Sequence, residues 1–317
     1  MKTVTTNLDR GLGNQLFTFH AGLYLGLNTN SRVVRFDLTG IQIEKQVRKS
    51  AIDDFNITIL GAPFDVEWSS KFKSPNLVLI ERIIHKFFKK YVITRKLMRQ
   101  FRSITYGFDP QLDGLKAPVQ IWGNYQSWRY PSALAEAGIE ISFQVKNPTV
   151  WYLELCEAAK VVRPIAIHMR RGDYANYASD LGLLSDDYYL GALKHFLSNE
   201  NVKYSEIWIF SDSLEPANSL KVKIELLLET TSLANRGGVK VIYPPSNSTS
   251  AENLLLLSKA SMIITSNSSW SWWAGWIAGK NTHVIVPAPY YKAFGGEFLD
   301  HIPDHWERYP SEFLQVR

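Results

Sequence analysis

The feature that most constrains the fold is an alternation of short apolar segments with amphipathic segments in the second half of the chain. The alternation predicts strands at 164–168, 205–211, 239–243, 262–265 and 283–286, and helices at 186–197, 215–228, 251–259 and 270–278. Strands that alternate with helices form parallel sheets wound by right-handed crossovers. We therefore predict an α/β fold in which a ligand binds at the carboxyl ends of the strands.

The first half of the chain is less regular. Its predicted elements are a strand at 3–8, a helix at 14–27 after a glycine loop, a strand at 32–36 and a strand at 119–122. Asn147 and Pro148 form our candidate linker, followed by a helix at 150–159. A chain of 317 residues is long enough for two domains. We expect an N-terminal domain at 1–150 and a C-terminal domain at 151–317, with the last residues packing back on the first domain.

Positive charge is concentrated in one segment of the first half. Between 82 and 102 the sequence has eight Lys and Arg residues and no acidic residue, although the whole chain carries only +5. The remainder is therefore mildly acidic, which argues against a general nucleic-acid-binding surface. Apolar residues recur through 82–102 at helical spacing. Two interpretations stay open: a basic amphipathic helix on an anionic membrane surface, or a helix packed on the first domain with solvated lysines.

Composition narrows the remaining classes. A single cysteine, Cys156, excludes an intrachain disulfide and a cysteine-based zinc cluster. The sequence has no run of 18 apolar residues, and Asn7, Asp9 and Arg10 interrupt any signal peptide near the start. We therefore expect a cytoplasmic protein. Its 10 Trp and 15 Tyr residues serve mainly the core, but aromatic faces also stack on sugar rings, which keeps a carbohydrate ligand in view.

The strongest local signal is the run HMRRGDY at 168–174, placed where a predicted strand ends. Arg170 and Arg171 offer planar, permanently charged guanidinium groups that suit a phosphate or diphosphate. The alternative interpretation is a surface salt-bridge cluster with Asp173.

A second signal is the run SNSSWSWW at 266–273, between a predicted strand and a helix. Backbone N–H groups, serine hydroxyls and the helix dipole converge there, and such a spot binds anions without a metal. The alternative is capping of the helix by Ser268 or Ser269, which accounts for only one serine. At least two of the following tryptophans are expected to pack this helix onto the sheet: Trp272, Trp273 and Trp276.

The third signal, Gly11-Leu12-Gly13, opens a helix in the first half. It matches part of a dinucleotide-binding fingerprint, and Asp37 follows the next strand, where a ribose-binding acid would lie. Leu16 stands at the third glycine position, so the match is incomplete. An NAD- or FAD-dependent enzyme that uses the Gly11 loop stays an alternative.

Together the three signals resemble the α-1,2-fucosyltransferases, an inverting, GDP-fucose-dependent family (glycosyltransferase family 11). The family's Gly-Leu-Gly-Asn-Gln block is similar to 11–15, its His-x-Arg-Arg-Gly-Asp-Tyr signature to 168–174, and its Asn-Ser-Ser-aromatic-Ser-Trp-Trp block to 267–273. A Gln-Ser pair of the family is met at 126–127. The sequence departs from the family at three positions: Arg10 replaces a glycine, Asn253 lies near a usual aspartate and Ala260 near a usual cysteine.

The resemblance implies two Rossmann-like domains of the glycosyltransferase-B type, with the acceptor on the first domain and GDP-fucose held mostly by the second. It implies transfer of L-fucose from GDP-L-fucose, with inversion, to O2 of a β-galactoside, which we expect in a bacterial surface oligosaccharide. It also implies no cofactor and no divalent metal, and the sequence has no Asp-x-Asp triplet. Charge on the leaving GDP can instead be met by the arginine pair and the helix start.

Residue roles follow from the resemblance as hypotheses. Arg170 and Arg171 bind the diphosphate, and His168 binds the guanosine or its phosphate. Asp173 is either the base that deprotonates the acceptor or a buttress of Arg171. The expected donor-binding residues are Gly13, His168, Arg171, Asn267, Ser268 and Ser269, and the expected catalytic residues are Arg170, Asp173 and Asn14.

On the acceptor side, Asn14 is expected to orient the acceptor hydroxyl, and Gln126 and Trp128 to bind the acceptor. Further aromatic residues either line the acceptor cleft or pack the core: Trp122, Tyr125 and Tyr130. A third class, a non-catalytic sugar-binding protein, explains the aromatic residues but gives no reason for an arginine pair beside a serine-rich helix start. Titration with GDP and then with NAD separates the three classes.

Overall fold

The structure, a computed structural model, describes residues 2–38, 52–69, 99–198, 204, 206–230, 238–293 and 300–315. The chain divides into two compact units, 1–143 and 144–317. The division lies inside a strand, slightly before the expected border at 150. Within the described ranges, no helix is both long and apolar enough to cross a lipid bilayer.

The described part of the first unit forms one parallel five-stranded sheet with the strand order β4-β2-β1-β6-β5. Two further strands, β3 and β7, pair with each other. The elements in chain order are β1 (Thr3–Asn7), α1 (Leu12–Asn28), β2 (Val33–Asp37), β3 (Phe55–Leu60), β4 (Asp65–Ser69), β5 (Arg99–Arg102), β6 (Val119–Trp122), α2 (Arg129–Glu136) and β7 (Glu140–Val145).

The described part of the second unit forms a parallel six-stranded sheet with the order β10-β9-β8-β11-β12-β13. Its elements are α3 (Val150–Val162), β8 (Ile165–Met169), α4 (Asp186–Leu197), β9 (Glu206–Ser211), α5 (Leu214–Thr230), β10 (Gly238–Ile242), α6 (Ser250–Leu257), β11 (Met262–Ile264), α7 (Ser269–Ala278), β12 (His283–Ala288) and β13 (Glu307–Pro310). The predicted α/β fold with parallel sheets flanked by helices is confirmed.

The second sheet is held by a continuous apolar core. All five residues of β8 are buried, as expected for a parallel strand with helices on both faces. Ile167 and Ile209 belong to the same buried cluster as Leu193 of α4 and Leu220 of α5. Burying one such aliphatic side chain contributes roughly 1.5–3 kcal/mol. The core therefore fixes the strand ends, where the polar residues of the motifs begin.

The second sheet contains a point at which the strand order reverses. The chain runs from β8 outward through β9 and β10, and from β11 in the opposite direction through β12 and β13. Connections on the two sides of such a point diverge and leave a crevice at the carboxyl ends, where open α/β sheets bind ligands. The three sequence motifs follow β1, β8 and β11.

Buried Glu252 fixes the start of two helices of the second unit. Its carboxylate accepts the backbone N–H of Thr149 at 2.6 Å and of Thr249 at 2.7 Å. These threonines are the N-cap residues of α3 and α6, and the hydroxyl of Thr249 accepts the N–H of Glu252 in a capping box. One carboxylate thus satisfies N–H groups at two helix starts.

Two expectations about elements need correction. The segment 283–286 is not the last strand, because β13 extends the sheet beyond β12. The expected packing of the last residues on the first domain stays a prediction. The end of the basic segment 82–102 is a strand, β5, paired with β6, and not a helix. Residues 82–98, the rest of the membrane-contact candidate, lie outside the described residues.

Candidate functional site

Two distant motifs meet at the crevice of the second sheet. Ile167 on β8 lies opposite Ile264 on β11, which brings the residues that follow these strands together. The imidazole Nδ1 of His168 lies 2.9 Å from the hydroxyl of Ser266, and both residues are buried. The ring of Trp270 lies against the imidazole, with centroids 4.7 Å apart. The sequence expectation that 168–174 and 266–273 act at one spot thus has a structural basis.

His168 is uncharged at neutral pH. Burial disfavours the imidazolium ion and the nearby charge of Arg170 adds to this, so the pKa of His168 is lowered to about 3. The residue expected to contact the guanosine or its phosphate is therefore a neutral hydrogen-bonding group and not a cation.

Tyr174 and Asn267 tie the two motifs together a second time. The hydroxyl of Tyr174 donates to the backbone carbonyl of Asn267 at 3.0 Å. The side-chain amide of the buried Asn267 donates to the carbonyls of Leu181 at 2.8 Å and Gly182 at 3.0 Å. The amide nitrogen of Asn267 thus holds the loop that follows the arginine pair.

Arg170 is held between a carboxylate and an aromatic ring. Its Nη1 lies 3.0 Å from Oδ2 of Asp212, and its guanidinium carbon lies 5.4 Å from the ring centroid of Tyr174. The side chain keeps 26% of its surface exposed. Of the two arginines, Arg170 is the one with more surface available to a ligand.

Arg171 turns to different partners. Its Nη2 lies 3.0 Å from Oδ1 of Asp186, its guanidinium lies over the ring of Tyr189, and only 11% of the side chain is exposed. Asp186 also pairs with Lys223 at 2.7 Å. These charges line a cavity of about 340 Å³. The alternative of a salt-bridge cluster is thus partly realised, with Asp212 and Asp186 as the acids, whereas the side chain of Asp173 lies outside the described part of the structure.

The serine-rich segment forms the N-terminus of α7. Ser268 is the N-cap residue, and its hydroxyl accepts the N–H of Trp270 at 3.3 Å. Ser269 is the first helical residue and is partly exposed. Trp272 and Trp273 are fully buried, which confirms that at least two tryptophans pack this helix. Capping accounts for Ser268, and Ser269 stays available at the positive end of the helix dipole.

The motif of the first unit forms a second group of predicted residues. The side-chain amide of Gln126, in the loop after β6, donates to the side-chain oxygen of Asn14 at 2.7 Å, in the first turn of α1. Gly13 is buried in the same helical turn. The structure thus gathers Asn14, Gln126 and Gly13 in the first unit, although Gly13 was expected among the donor-binding residues.

Arg10 joins the same two loops of the first unit. Its guanidinium donates to the carbonyl of Gly123 at 2.7 Å and to Asp9 at 3.0 Å. Its backbone has φ +63°, in the left-handed region that favours glycine. A glycine at this position would suit the backbone, and this chain holds an arginine there through side-chain contacts.

The aromatic residues near this group divide into two sets. Tyr125 and Tyr130 are fully buried and pack against each other, so they belong to the core. Trp122 and Trp128 are partly exposed. The exposed candidates for stacking on a sugar are therefore Trp122, at the end of β6, and Trp128, at the start of α2.

Among the residues that the structure describes, no three His, Cys, Asp or Glu side chains are grouped to hold a metal ion. Metal independence of the reaction stays a prediction. Sequence reasoning did not identify Asp212 and Asp186, the acids that fix the arginines. Asp212 directly follows a predicted strand, a signal that becomes readable once β9 is known to lie beside β8.

Comparison with known proteins places the chain among sugar transferases. The model of glycosyl transferase family 11 matches residues 151–304. An alpha-1,2-colitosyltransferase of Escherichia coli is 26% identical over 313 residues, which cover 97% of this chain and 99% of that protein. The O-antigen biosynthesis glycosyltransferase WbnK of Escherichia coli is 23% identical over 298 residues, covering 88% of this chain and 91% of WbnK.

Two solved structures share the fold. The NodZ alpha-1,6-fucosyltransferase, soaked with GDP-fucose, superposes with a TM-score of 0.50 at 11% identity and covers 86% of this chain and 91% of its own. A point mutant of FUT1 from Arabidopsis thaliana in complex with GDP gives a TM-score of 0.52 at 12% identity, covering 89% of this chain and 70% of that one. At these identities the likeness concerns the fold, and it confirms the predicted glycosyltransferase-B type.

Proposed function

We propose that the chain is a member of glycosyl transferase family 11, whose model matches residues 151–304, and that it transfers L-fucose from GDP-L-fucose, with inversion, to O2 of a β-galactoside. We expect the acceptor to be part of a bacterial surface oligosaccharide, since one relative is named for O-antigen biosynthesis. The observation that carries the proposal is the meeting of Arg170, neutral His168 and the start of α7 at the carboxyl ends of β8 and β11.

The donor diphosphate is assigned to this crevice. As the bond to the sugar breaks, positive charge develops on the sugar and negative charge on the diphosphate. Preorganised donors that interact most strongly at that stage accelerate the reaction. Arg170 supplies a fixed charge, and Ser268 and Ser269 supply hydroxyl and backbone N–H groups at the positive end of α7. His168 offers a neutral nitrogen to the guanosine or its phosphate.

The acceptor is assigned to the first unit. Asn14 and Gln126 carry amide groups that can both donate to and accept from sugar hydroxyls. Their mutual hydrogen bond at 2.7 Å fixes the amide of Gln126 and leaves Asn14 its own nitrogen to offer. Trp128, partly exposed nearby along the chain, adds an apolar face for a sugar ring.

The acceptor hydroxyl must lose a proton late in a single displacement. Asp173 is our first candidate base, and the departing phosphate is the other. A pH–rate profile of Asp173→Asn separates a base from a buttress of Arg171. Loss of the acidic limb identifies a base, whereas an unchanged limb with a modest loss of rate identifies a structural role.

A second donor is favoured by one observation. The alpha-1,2-colitosyltransferase of Escherichia coli aligns over 97% of this chain. Colitose is fucose without its 3-hydroxyl group, so both sugars could use the same diphosphate contacts. The two donors should be compared by kcat/KM on one acceptor.

The decisive experiment is incubation with GDP-fucose or GDP-colitose and a panel of β-galactosides, followed by determination of the linkage. An α-1,2 product formed in the presence of EDTA supports the proposal and metal independence. Calorimetric titration with GDP and NAD tests the alternatives: NAD binding without GDP binding would favour a dinucleotide enzyme. GDP-independent sugar binding without transfer would favour a sugar-binding protein.

A peripheral contact with anionic membrane through 82–102 on the inner face of the membrane remains part of the proposal. Since 99–102 form β5, the contact would be made by 82–98. Co-sedimentation with vesicles containing phosphatidylserine at low salt tests it. Absence of binding dismisses the contact and leaves the transferase proposal intact.

A further inference from the structure

Asp212 occupies a position set by the register of two strands. Met169 at the end of β8 lies opposite Ser211 at the end of β9. The next residues along these strands are Arg170 and Asp212, which therefore emerge side by side at the carboxyl edge of the sheet. Their ion pair follows from strand pairing and not from a chance meeting of surface side chains.

Both oxygens of Asp212 are engaged by the arginine loop. Oδ2 pairs with Nη1 of Arg170 at 3.0 Å, and Oδ1 accepts the backbone N–H of Arg171 at 2.9 Å. The carboxylate thus fixes the guanidinium and the backbone that carries it. A flexible side chain fixed in this way loses less conformational freedom when it binds an anion.

The space around the carboxylate is also restricted. A Cβ atom placed on Gly172 would lie 2.6 Å from Oδ2 of Asp212, closer than any real contact allows. The backbone of Gly172 has φ −25°, outside the left-handed region, and the close approach to Asp212 is the contact that a side chain there would disturb. On the far side of Arg170 lies the ring of Tyr174, itself held by its hydrogen bond to Asn267.

We propose that Asp212 is a positioning residue for sugar transfer: it holds the guanidinium of Arg170 in the orientation that contacts the donor diphosphate. The inference rests on the proposed function. A carboxylate beside a diphosphate site would by charge alone weaken binding of the anion. Positioning and simple charge therefore predict opposite effects when the charge of Asp212 is removed.

The test is a double-mutant cycle with Asp212→Asn, Arg170→Ala and the double variant, measured by GDP calorimetry and by transfer kinetics. Asparagine keeps an oxygen for the N–H of Arg171 but loses the charge that holds Arg170. We expect Asp212→Asn to weaken GDP binding and to lower kcat about 10- to 100-fold, with KM for the acceptor unchanged. In the Arg170→Ala background the same substitution should have no further effect on GDP affinity.

Gly172→Ala provides an independent variant, because its added Cβ shifts the carboxylate of Asp212 without changing the residue at 212. We expect it to lower kcat in the same way, at an unchanged KM for the acceptor. Asp187→Asn removes an exposed acid of α4 and serves as the matched control, with wild-type GDP affinity and kcat. Thermal melting of each variant separates loss of fold from loss of positioning.

Two results would overturn the inference. If Asp212→Asn bound GDP more tightly at wild-type kcat, Asp212 would act only as an unfavourable negative charge. If the effects of the two substitutions were additive, Asp212 would not act through Arg170. Absence of GDP binding by the wild-type protein would instead sink the proposed function itself. The two failures are therefore distinguishable.

Discussion

The carboxyl ends of the two sheets are similar in arrangement and differ in chemistry. In each unit two neighbouring parallel strands end beside the start of a helix: β1 and β6 beside α1 at the first crevice, and β8 and β11 beside α7 at the second crevice. The second crevice offers Arg170, buried neutral His168 and a serine-capped helix start. The first offers the amide pair Asn14 and Gln126.

The ends of parallel strands form both crevices, and the side chains at each crevice determine which ligand binds there. Fixed positive charge at the second crevice suits a diphosphate, whose charge increases during the reaction. Amide groups in the first crevice suit neutral hydroxyl groups. The contrast supports a donor side in the second unit and an acceptor side in the first, and substitutions in each unit test this assignment.

The largest effect is expected from Arg170→Ala. The variant should fold and lose about 10²–10³-fold in transfer rate, because a charged donor to the leaving diphosphate is removed. Arg171→Ala should lose less rate and more stability, since its side chain is mostly buried against Asp186. Steady-state kinetics measures the transfer rate, and thermal melting measures the stability. Wild-type turnover by Arg170→Ala would contradict the assignment of the donor to the second unit.

The next effect concerns acid stability, to which buried His20 of the first unit and buried His168 of the second unit contribute. Burial lowers the pKa of His20 to about 4 and that of His168 to about 3. Between these values and the ordinary value near 6.5, the unfolded chain binds more protons than the folded one, so stability falls as pH falls through 6.5. Lowering the pH from 7 to 5 should cost about 2 kcal/mol of unfolding free energy for each histidine.

Denaturant unfolding of wild type, His20→Gln and His168→Gln at the two pH values measures these contributions. Each variant should be less stable at pH 7 and less sensitive to acid than wild type. His195→Gln, which replaces a half-exposed histidine, is the control. If the buried-site variants keep the full acid sensitivity, the histidines are not its source.

A smaller effect is expected on the acceptor side. Asn14→Ala and Gln126→Ala should each raise KM for the acceptor about tenfold, the equivalent of one hydrogen bond near 1.4 kcal/mol, and leave GDP affinity unchanged. Acceptor kinetics and GDP calorimetry on the same preparations test this. Weaker GDP binding with an unchanged acceptor KM would reverse the assignment of the two units.

The smallest effect concerns the strained backbone at Arg10. Arg10→Ala removes the hydrogen bond to Gly123 and keeps a side chain at φ +63°, whereas Arg10→Gly also relieves the left-handed conformation. Because that conformation costs a non-glycine residue roughly 1–2 kcal/mol, Arg10→Gly should be more stable than Arg10→Ala by about 1 kcal/mol. Equal unfolding free energies of the two variants would show that the first loop is not strained.

The sequence predicts the second unit well because its central strands are short, almost fully buried segments that alternate with helices. The helix Asp186–Leu197 of this unit and the strand Val119–Trp122 of the first unit have the predicted bounds. The strand β13 is not predicted because its four residues, Glu307–Pro310, include two charged residues and a proline and alternate in burial at the sheet edge. The strand β5 is not predicted because the preceding residues have basic and apolar side chains at helical spacing, and this pattern continues into it.

The candidate site is predictable where it rests on local signals and not where it rests on strand order. Three of the predicted residues belong to short sequence motifs that can be recognised without the structure: Arg170, Ser268 and Asn14. The partners Asp212 and Asp186 lie far along the chain, and only the pairing of β9 with β8 and the packing of α4 bring them to the arginines. Sequence patterns give the elements, while neighbours in the sheet are decided by the folded chain.

The close approach of Gly172 to Asp212 also constrains how this loop can change during evolution. A side chain at 172 would meet the carboxylate of Asp212, so a residue larger than glycine there requires that carboxylate to shift. Among descendants of this sequence, we expect the glycine at 172 to be replaced only together with a change at 212. The residue allowed at 172 thus depends on a residue 40 positions away along the chain.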